Sequence, residues 1–397
     1  MWEITMPGDA FSKRYAALAA EYEALINREN RPMPSDNGLY RRWEYPVLTA
    51  AHVPLTWRYD LDPHDNPYLL ERVRHNAVFN AGAIYLNGKN VLIARIEGVD
   101  RKSFFAVAES ENGVDGFKFW DYPIVMPETG LADTDIFNIR ITPHEDGWIY
   151  GLFCTERKDP HLPKDLAASM SRCAIARTHD LKEWHRLPDL VTLHGQQRNV
   201  VLHPEFINGK YALYTRPQGD FEAIGAGGIG WALLEDITSS RVIGELVIEP
   251  KAYHTVKEIK NGEGPAPIKT EQGWLHLAHG VRATPAGLRY VLYVYMTALD
   301  KPWVVTHAPG GHFIAPRGAE RVGDVPNVVF CNGWIARPNG EVFIYYGSSD
   351  TRLQVATTSL SRLVDYAIHS PPDSKTSANA ARQRIALIDK NMRQLKA

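Results

Sequence analysis

The stretch AGAIYLNGKNVLIARIEG, residues 81–98, holds two apolar runs that are separated by Asn87 and Gly88. A glycine between two short apolar runs is typical of a tight turn that joins two β-strands. The stretch therefore predicts an apolar strand, a turn at Gly88 and a second apolar strand.

The same unit recurs along the chain. It returns at residues 136–156, 200–218, 264–281 and 328–350. The turn glycines Gly88, Gly147, Gly209, Gly273 and Gly340 are 59, 62, 64 and 67 residues apart. Five hairpins at a nearly constant spacing predict an all-β fold, a five-bladed β-propeller with four strands in each blade. A sandwich of unrelated hairpins is the alternative, and it would not keep this period.

Both ends of the chain have a helical pattern. Residues 10–29 carry apolar side chains at three- and four-residue steps, and residues 377–396 place Ile385, Ile388, Met392 and Leu395 on one face. We expect an N-terminal helical extension in 1–50, the propeller as the catalytic domain in 51–370 and a C-terminal helix in 371–397. Such helices pack on the body of a domain or carry a subunit interface, and we expect a homo-oligomer.

Composition narrows the class of protein. The formal net charge is -2 over 397 residues, which does not favour nucleic acid or an anionic membrane surface as a partner. No apolar run approaches the roughly 18 residues of a membrane span, and the N-terminus has no signal-peptide pattern. Cys154, Cys173 and Cys331 lack metal-ligand spacing and suit a reducing compartment. We expect a cytoplasmic protein without a metal.

The inner strands of a propeller converge on one central funnel, so equivalent positions of different repeats become neighbours there. These positions hold polar and charged residues, namely Asn80, Arg95, Asn138, Arg140, Arg198, Arg216, Lys260, Glu263, His279, Asn327 and Asp350.

Three of these residues, Arg198, Arg216 and Lys260, come from two adjacent repeats. A cation within an apolar hairpin is costly to bury unless it meets an anion. Each could pair with a nearby acid such as Glu205 or Glu263. Taken together, the three favour one anion pocket, and phosphate suits the arginine fork and the lysine point charge.

Carboxylates are scarce among the funnel positions. A glycosidase normally needs two of them, whereas the funnel positions supply Asp350 and, less clearly, Glu263. A phosphorylase that inverts the anomeric centre needs one acid, because phosphate is already a nucleophile. Cations and few carboxylates therefore favour phosphorolysis over hydrolysis.

The chain resembles glycoside hydrolase family 130 over nearly its whole length. The resemblance lies in HNAVFNAGA (75–83), ARIEGVDRKSFFAVAES (94–110), RNVVLHPEFINGKYALYTRPQ (198–218), GEGPAPIKTEQGWLHLAHGV (262–281), DVPNVVFCNGWI (324–335) and YYGSSDT (345–351). It implies a five-bladed propeller and the inverting phosphorolysis of β-1,4-mannosyl-glucose to α-mannose 1-phosphate and glucose. Inorganic phosphate is then the co-substrate, and no metal or organic cofactor is implied.

The resemblance also implies roles for residues. Phosphate is expected at Arg198, Arg216, Lys260 and His279, and the mannoside at Asn80, Arg95, Arg140 and Asp350. Arg101 and Lys102 are expected near the acceptor sugar, although they could equally be solvated loop charges.

One position departs from the family pattern. The family's general acid is an Asp that is followed by any residue and then Arg, and here the segment reads Phe137-Asn138-Ile139-Arg140. An amide cannot give up a proton in the transition state. Three interpretations remain open: an Asp→Asn form made to trap a sugar, a natural member with lost or changed activity, or a neighbouring acid such as Asp133 or Asp135. A five-bladed β-mannoside hydrolase and a non-catalytic mannoside-binding propeller are the alternative functions.

Overall fold

A computed structural model of the chain describes residues 7–35, 37–130, 132–193, 196–217 and 227–396. Within the described residues, two helices, a short strand and a 3-10 turn precede the repeats. These elements are α1 (Pro7–Ile26), β1 (Arg41–Arg42), a 3-10 turn (Ala50–His52) and α2 (Leu55–Arg58).

Five antiparallel sheets follow, and each is one blade of a propeller. Blade 1 holds β2 (His75–Leu86), β3 (Lys89–Gly98), β4 (Ser103–Ser110) and β5 (Lys118–Phe119). Blade 2 holds β6 (Asp135–Pro143), β7 (Ile149–Lys158), β8 (Ser169–Thr178) and β9 (His185–Arg186). Blade 3 holds β10 (Val201–Leu202), β11 (Tyr211–Thr215), β12 (Ile229–Leu234) and β13 (Glu245–Glu249). Blade 4 holds β14 (Lys260–Glu263), β15 (Ile268–Thr270), β16 (Gly273–Thr284), β17 (Gly287–Thr297) and β18 (Val305–His307). Blade 5 holds β19 (Val329–Ala336), β20 (Glu341–Ser348) and β21 (Arg352–Ser359).

The ring is closed by the N-terminal segment. β1 pairs antiparallel with β21, with Arg41 opposite Thr357, and so becomes the outermost strand of blade 5. The backbone N–H of Val47 adds a hydrogen bond of 2.9 Å to the carbonyl of Leu353. The first and last parts of the propeller are therefore held in one sheet.

The predicted turn glycines lie at the hairpins. Gly88, Gly147, Gly209, Gly273 and Gly340 all have positive φ angles, of 81°, 89°, 73°, 145° and 84°. Glycine adopts this conformation at little cost because it has no Cβ atom. The prediction of an all-β, five-bladed propeller is confirmed, and the hairpin spacing that predicted it is the spacing of the blades.

The inner strands approach one another closely at the axis. A Cβ atom on Gly82 of β2 would lie 2.7 Å from Cγ1 of Ile141, in β6 of the next blade. A Cβ atom on Gly333 of β19 would lie 2.5 Å from the backbone nitrogen of Ala83. Small residues at these positions let neighbouring blades converge, which places their polar residues around one cavity.

Helices at both ends match the predicted pattern, and two helices follow the last blade. α1 buries Phe11 and Ile26. α3 (Leu360–His369), which the sequence pattern did not predict, buries Leu363 and Ala367. α4 (Ser377–Gln394) buries none of its residues. No helix in the described ranges combines the length and the apolar composition needed to span a bilayer.

Candidate active site

Two β-bulges aim the side chains of Asn80 and Asn138 at the propeller axis. The register of β2 with β3 shifts between Phe79 and Gly82, and that of β6 with β7 shifts between Phe137 and Arg140. Within these bulges Asn80 and Asn138 have φ angles of 49° and 59°. Asparagine tolerates this left-handed conformation better than most residues, and a bulge can re-aim a side chain. Blades 1 and 2 thus use the same device at equivalent positions.

A cavity of about 240 Å³ lies between the inner strands. Seven of the predicted site residues line it: Asn80, Arg95, Asn138, Arg198, Arg216, Lys260 and Asp350. These seven come from all five blades, so the structure brings together residues that are up to 270 positions apart in sequence. Polar residues at equivalent positions of the repeats were predicted to become neighbours, and seven of them line one cavity.

One wall of the cavity, the cation wall, carries the three cations Arg198, Arg216 and Lys260. Burial lowers the pKa of Arg216 to about 10, and the neighbouring Arg198 guanidinium lowers it as well. Burial also lowers the pKa of Lys260, and the charges of Arg216 and Arg198 add to that shift. The cations therefore lie close enough to repel one another, and an anion placed among them would relieve this repulsion.

The two acids that could have paired with these cations are bound elsewhere. Glu205 accepts a hydrogen bond of 2.7 Å from Nζ of Lys269. Glu263 accepts one of 2.6 Å from the hydroxyl of Tyr295 and lies 3.0 Å from Nδ1 of His276. Both carboxylates are therefore bound to groups other than Arg198, Arg216 and Lys260.

A second part of the cavity lining, the Arg95 wall, is built around Arg95, whose charge is already compensated. Its guanidinium lies 4.7 Å from the centre of the Phe79 ring and 5.1 Å from that of Phe137. Nη2 donates a hydrogen bond of 2.7 Å to Glu97 and lies 3.8 Å from a carboxylate oxygen of Asp135. A guanidinium held in this way can offer its remaining N–H groups to neutral hydroxyls.

Asp350 brings a carboxyl group to the same cavity. Ser349 and Asp350 both have left-handed backbone, with φ angles of 48° and 49°. Burial raises the pKa of Asp350 to about 6; the charge of Arg95 opposes this shift, and the charges of Glu97 and Asp324 add to it. Among the residues that the structure describes, Asp350 is the only acid that lines the cavity.

Arg140 lies behind the cavity, although we expected it to contact substrate. It is 1% exposed, and its N–H groups donate hydrogen bonds to other groups of the protein. Nε donates to the carbonyl of Gly264 at 3.0 Å, Nη1 to that of Asn138 at 2.8 Å, and Nη2 to Oδ1 of Asn199 at 3.0 Å. Its position two residues after Asn138, beyond the bulge, turns it into the interior. Arg140 therefore positions two lining residues and ties together blades 2, 3 and 4.

His279 is also behind the lining residues rather than among them. Burial holds the pKa of its imidazole well below the usual range, and the nearby Arg216, Arg140 and Lys260 add to this. The ring stacks on Tyr290 at 17° with the centroids 6.3 Å apart, and both ring nitrogens are buried without a hydrogen-bond partner in the described part of the chain. A neutral imidazole behind the cation wall adds no charge to it.

Arg101 and Lys102 are exposed in the turn between β3 and β4, and neither lines the cavity. Arg101 has a φ angle of 65°, and the backbone N–H of Lys102 donates to Asp100. The acceptor-sugar role expected of them has no cavity contact to support it.

Six lining residues were not predicted: Phe137, Asn199, Tyr290, Val325, Val328 and Phe330. Phe137 and Asn199 adjoin the predicted Asn138 and Arg198, so adjacency in sequence could have found them. Val325, Val328 and Phe330 flank Asn327, a position that the repeat pattern had marked. Tyr290 lies in β17, the second long strand of blade 4, and no sequence signal pointed to it.

Known proteins that are similar to this chain include phosphorylases, in agreement with a cavity that carries three cations. Residues 52–368 match the family model of glycoside hydrolase family 130, which is described as β-1,4-mannooligosaccharide phosphorylase. The chain belongs to glycoside hydrolase family 130. The resemblance stated from the sequence motifs is thereby confirmed, and with it membership of a family of mannoside phosphorylases.

Individual family 130 members differ in how closely they match. A 4-O-β-D-mannosyl-D-glucose phosphorylase of Bacteroides fragilis is 57% identical over 388 residues, which cover 97% of this chain and 99% of the relative. The solved β-1,2-mannobiose phosphorylase of Listeria innocua, in complex with β-1,2-mannobiose, has a TM-score of 0.64 at 20% identity and covers 85% of this chain and 99% of that one. A structure reported with family 130 hydrolases that target β-1,2-mannosidic linkages in Candida mannan has a TM-score of 0.63 at 18% identity, with 84% and 97% covered. At these low identities the two structures bear on the fold alone.

The side chains that commonly bind metals are dispersed over the fold. Within the described ranges, no group of three or more His, Cys, Asp or Glu side chains is arranged to hold a metal ion.

Proposed function

We propose that this protein catalyses the inverting phosphorolysis of β-1,4-mannosyl-glucose to α-mannose 1-phosphate and glucose. The observation that carries the proposal is the wall formed by Arg198, Arg216 and Lys260, which faces an open cavity in a family 130 chain. The 57% identity to a mannosylglucose phosphorylase supports the choice of this disaccharide.

Phosphate is the ligand that this wall suits best. Two guanidinium groups offer paired N–H donors to phosphate oxygens, and the Lys260 ammonium adds a point charge. Because burial and mutual repulsion lower the pKa of Arg216 and of Lys260, a bound dianion stabilises both charged forms. The wall would hold phosphate in line with the anomeric carbon and reduce the cost of bringing an anion into a site with little water.

The mannosyl residue then lies toward the Arg95 wall. Asn80, Arg95 and Asp350 supply amide, guanidinium and carboxyl groups that can bind hydroxyls, and they come from blades 1 and 5. The second sugar would lie toward the mouth, and Arg101 and Lys102 are proposed as its more distant contacts. Attack by phosphate from the face opposite the leaving sugar inverts the anomeric centre.

Two readouts test the proposal on the intact chain. The first is release of glucose from mannosylglucose with and without inorganic phosphate. The second is the anomeric configuration of the sugar phosphate, which proton NMR reads directly. The spectra are taken early, so that free mannose from any hydrolysis is seen before it mutarotates. We expect glucose release to require phosphate and the product to be the α-phosphate. Release of mannose in phosphate-free buffer would instead support a β-mannoside hydrolase.

Asn138 favours a second candidate, a non-catalytic mannoside-binding propeller. An amide keeps the size and one hydrogen-bonding oxygen of an Asp, but it cannot donate a proton to a leaving group. A binder would bind mannosylglucose in calorimetry and leave it intact over long incubation with phosphate.

We also propose that the protein is a homo-oligomer in which α4 packs on a second copy of the chain. Ile385, Ile388 and Met392 lie on one face of α4 and are 56%, 56% and 48% exposed. An isolated helix of 18 residues is marginal in water, because packing supplies most helical stability. α4 carries four basic residues and one acid, whereas α1 exposes Glu21 and Glu23. This charge complementarity favours a second copy as the partner of α4.

A cytoplasmic location is our inference from the thiols. Cys154 and Cys173 lie directly opposite each other on β7 and β8, and both are free and buried. Burial raises the pKa of Cys154 to about 12, so this thiol stays protonated. Neighbouring free thiols are typical of a reducing compartment.

A further inference from the structure

Single-displacement phosphorolysis needs one proton donor for the leaving sugar, and the amide of Asn138 cannot be that donor. The hydrogen bond from Nδ2 of Asn80 also occupies Oδ1 of Asn138, at 3.0 Å. The amide nitrogen of Asn138 remains to donate hydrogen bonds to a substrate. The donor must therefore come from another residue that reaches the cavity.

The other nearby acids are held by hydrogen bonds and ion pairs to protein groups. Asp133 is paired with both Arg157 and Arg186. Asp135 accepts a hydrogen bond of 2.6 Å from the backbone N–H of Ser103. Neither of them lines the cavity. Glu263 likewise does not line it and is bound to His276 and Tyr295, as described above.

We propose that Asp350 is the proton donor of this chain, reaching the leaving oxygen from blade 5. The proposal rests on the proposed function, phosphorolysis of a β-mannoside. The family resemblance implies only mannoside binding for Asp350, and this proposal adds a role in proton transfer.

The surroundings of Asp350 suit a carboxyl group that keeps its proton. Within the described residues no hydrogen bond or ion pair holds its carboxylate, in contrast to Asp133 and Asp135. The charged and titratable groups that face it are Arg95 and Glu97 from β3, Asp324 from the loop before β19, and Tyr290 from β17. Burial and the charges of Glu97 and Asp324 raise the pKa of this carboxyl group to about 6 against the opposing charge of Arg95, so Asp350 keeps its proton to a higher pH than an ordinary aspartate does. A donor in this range is matched to its task.

Local backbone supports the same assignment. Two consecutive non-glycine residues, Ser349 and Asp350, adopt left-handed conformations. Such residues are costly and cluster at functional sites, where the surrounding structure holds them in place. Here Ser349 is anchored by the hydrogen bond of 2.7 Å that its hydroxyl donates to the carbonyl of Glu320. The turn therefore holds Asp350 at the cavity.

The proton balance of the step closes without another reactant. An oxygen of HPO₄²⁻ forms a bond to the anomeric carbon while the bond from that carbon to the glucosyl oxygen breaks. The Asp350 carboxyl gives its proton to the departing oxygen, directly or through a mannose hydroxyl, and becomes a carboxylate. The products are glucose and mannose 1-phosphate that still carries one phosphate proton. This proton, or one from solvent, restores Asp350.

Leaving-group dependence separates a proton donor from a residue that only binds mannose. The nitrophenolate that leaves p-nitrophenyl β-mannoside needs no proton, whereas the glucose that leaves mannosylglucose would depart as a poor alkoxide leaving group without one. We expect Asp350→Asn to lower kcat on mannosylglucose by about 10²–10⁴, the usual contribution of general acid catalysis. On the aryl mannoside the loss should be less than about tenfold by the same reasoning. If Asp350 only binds mannose, its replacement should lower kcat on both substrates by the same factor.

The pH profile provides a second readout. Because the donor must be protonated, kcat/KM should fall as pH rises through the pKa of Asp350. Asp324→Asn removes a negative charge that raises this pKa, so this falling limb should move to lower pH. Ionisation of phosphate itself is common to all variants and does not move between them. An unchanged limb in Asp324→Asn contradicts the role of Asp350.

Two further results make the test decisive. The double variant Asp350→Asn with Asn138→Asp should recover turnover of mannosylglucose, because it supplies an acid to the cavity from blade 2. Phosphate binding to Asp350→Asn, measured by calorimetry, shows that the variant is folded. Equal losses on both substrates would overturn the role of Asp350 alone. A wild-type chain that converts neither mannoside would overturn the proposed function and this role with it.

Discussion

The side-chain amide of Asn80 donates a hydrogen bond of 3.0 Å to the side-chain oxygen of Asn138, across the boundary between blades 1 and 2. Both residues lie in β-bulges with left-handed backbone, so the pair depends on two matching irregularities in neighbouring sheets. The contact fixes the side-chain orientation at position 138. It also means that an acid introduced there would lose part of its basicity to the Asn80 amide and be held in a defined rotamer.

The cation wall leads to the first prediction. Arg216→Ala should abolish phosphate-dependent turnover, because the remaining Arg198 and Lys260 cannot hold the nucleophile in line. Mannoside binding should survive, since the variant keeps Asn80, Arg95 and Asp350, the residues proposed to bind the mannosyl hydroxyls. Calorimetry with phosphate and with mannosylglucose measures the two separately. Lys269→Ala is the matched control, because Lys269 is an exposed cation of blade 4 that pairs with Glu205. Weakened mannoside binding with intact phosphate affinity would contradict the division of the cavity into two walls.

The fold was predictable from the sequence because its period depends on local chemistry. The five turn glycines all have positive φ angles, and a residue without a Cβ atom at such a turn leaves a visible mark in the sequence. The pairing of β1 with β21 left no such mark, because two residues of strand carry no period. α3 was missed for a related reason, since its ten residues directly continue a strand without a break of glycine or proline.

The site was predictable only in part. Seven lining residues occupy equivalent slots of the repeats, which the sequence reveals. Arg140 occupies such a slot too, yet the bulge at Asn138 turns it inward to bind Gly264 and Asn199. Register shifts of one residue decide which side of a strand faces the cavity, and they are not visible in a pattern of residue types.

Arg140 leads to a prediction on stability. Arg140→Leu leaves the carbonyls of Asn138 and Gly264 and the side-chain oxygen of Asn199 without their donor. Each unpaired buried acceptor costs about 1–3 kcal/mol, offset in part by removal of a buried charge. We expect the free energy of unfolding, from urea denaturation, to fall by about 3 kcal/mol. Arg382→Leu on exposed α4 serves as the control and should change it little. An equally stable Arg140→Leu variant would show that the interior contacts of Arg140 contribute nothing net.

Asp350 should make the folded protein less stable above its own pKa. Its pKa is about 6 in the folded protein against 3.8 as the ordinary value, so the folded state binds more protons between these two pH values. Stability therefore falls as pH rises from about 4 to about 6 and stays lower above that range. Asp350→Asn should raise the free energy of unfolding at pH 7.5 by up to about 3 kcal/mol, and the difference should vanish near pH 4. Urea denaturation at several pH values measures it. A variant that is less stable at pH 7.5 would indicate that the ionised carboxylate is stabilised by the fold.

The exposed apolar face of α4 leads to a prediction on assembly. Deleting 377–397 should reduce the molar mass in solution, measured by light scattering, if α4 packs on a second copy. Ile388→Glu should have the same effect, because it puts a charge on the apolar face without removing the helix. Lys390→Gln, on the opposite face of α4, is the control and should leave the mass unchanged. An unchanged mass in both the deletion and Ile388→Glu would assign the interface, if any, to another surface.

Position 138 offers the sharpest test of the mechanism. Asn138→Asp adds a carboxyl group to the cavity at the slot where family 130 resemblance implies the general acid. We expect turnover of mannosylglucose to rise, by up to about 10², the low end of what a positioned acid supplies. Affinity should change little, because Asp and Asn have nearly the same size and Asn80 can donate to either.

The comparison to make is phosphate-dependent release of glucose by the unmodified chain and by the Asn138→Asp variant, with mannosylglucose affinity measured in parallel. The rise should be confined to mannosylglucose and absent on p-nitrophenyl β-mannoside, because only the poor leaving group needs the proton. The unmodified chain should retain the turnover that Asp350 supports, so Asp350→Asn should harm it more than it harms the Asn138→Asp variant. If adding the carboxyl group changes neither turnover nor the dependence on Asp350, position 138 does not face the leaving oxygen. The acid would then have to act from blade 5 alone, and the bulge at 138 would serve only to hold Asn80 and Arg140 in place.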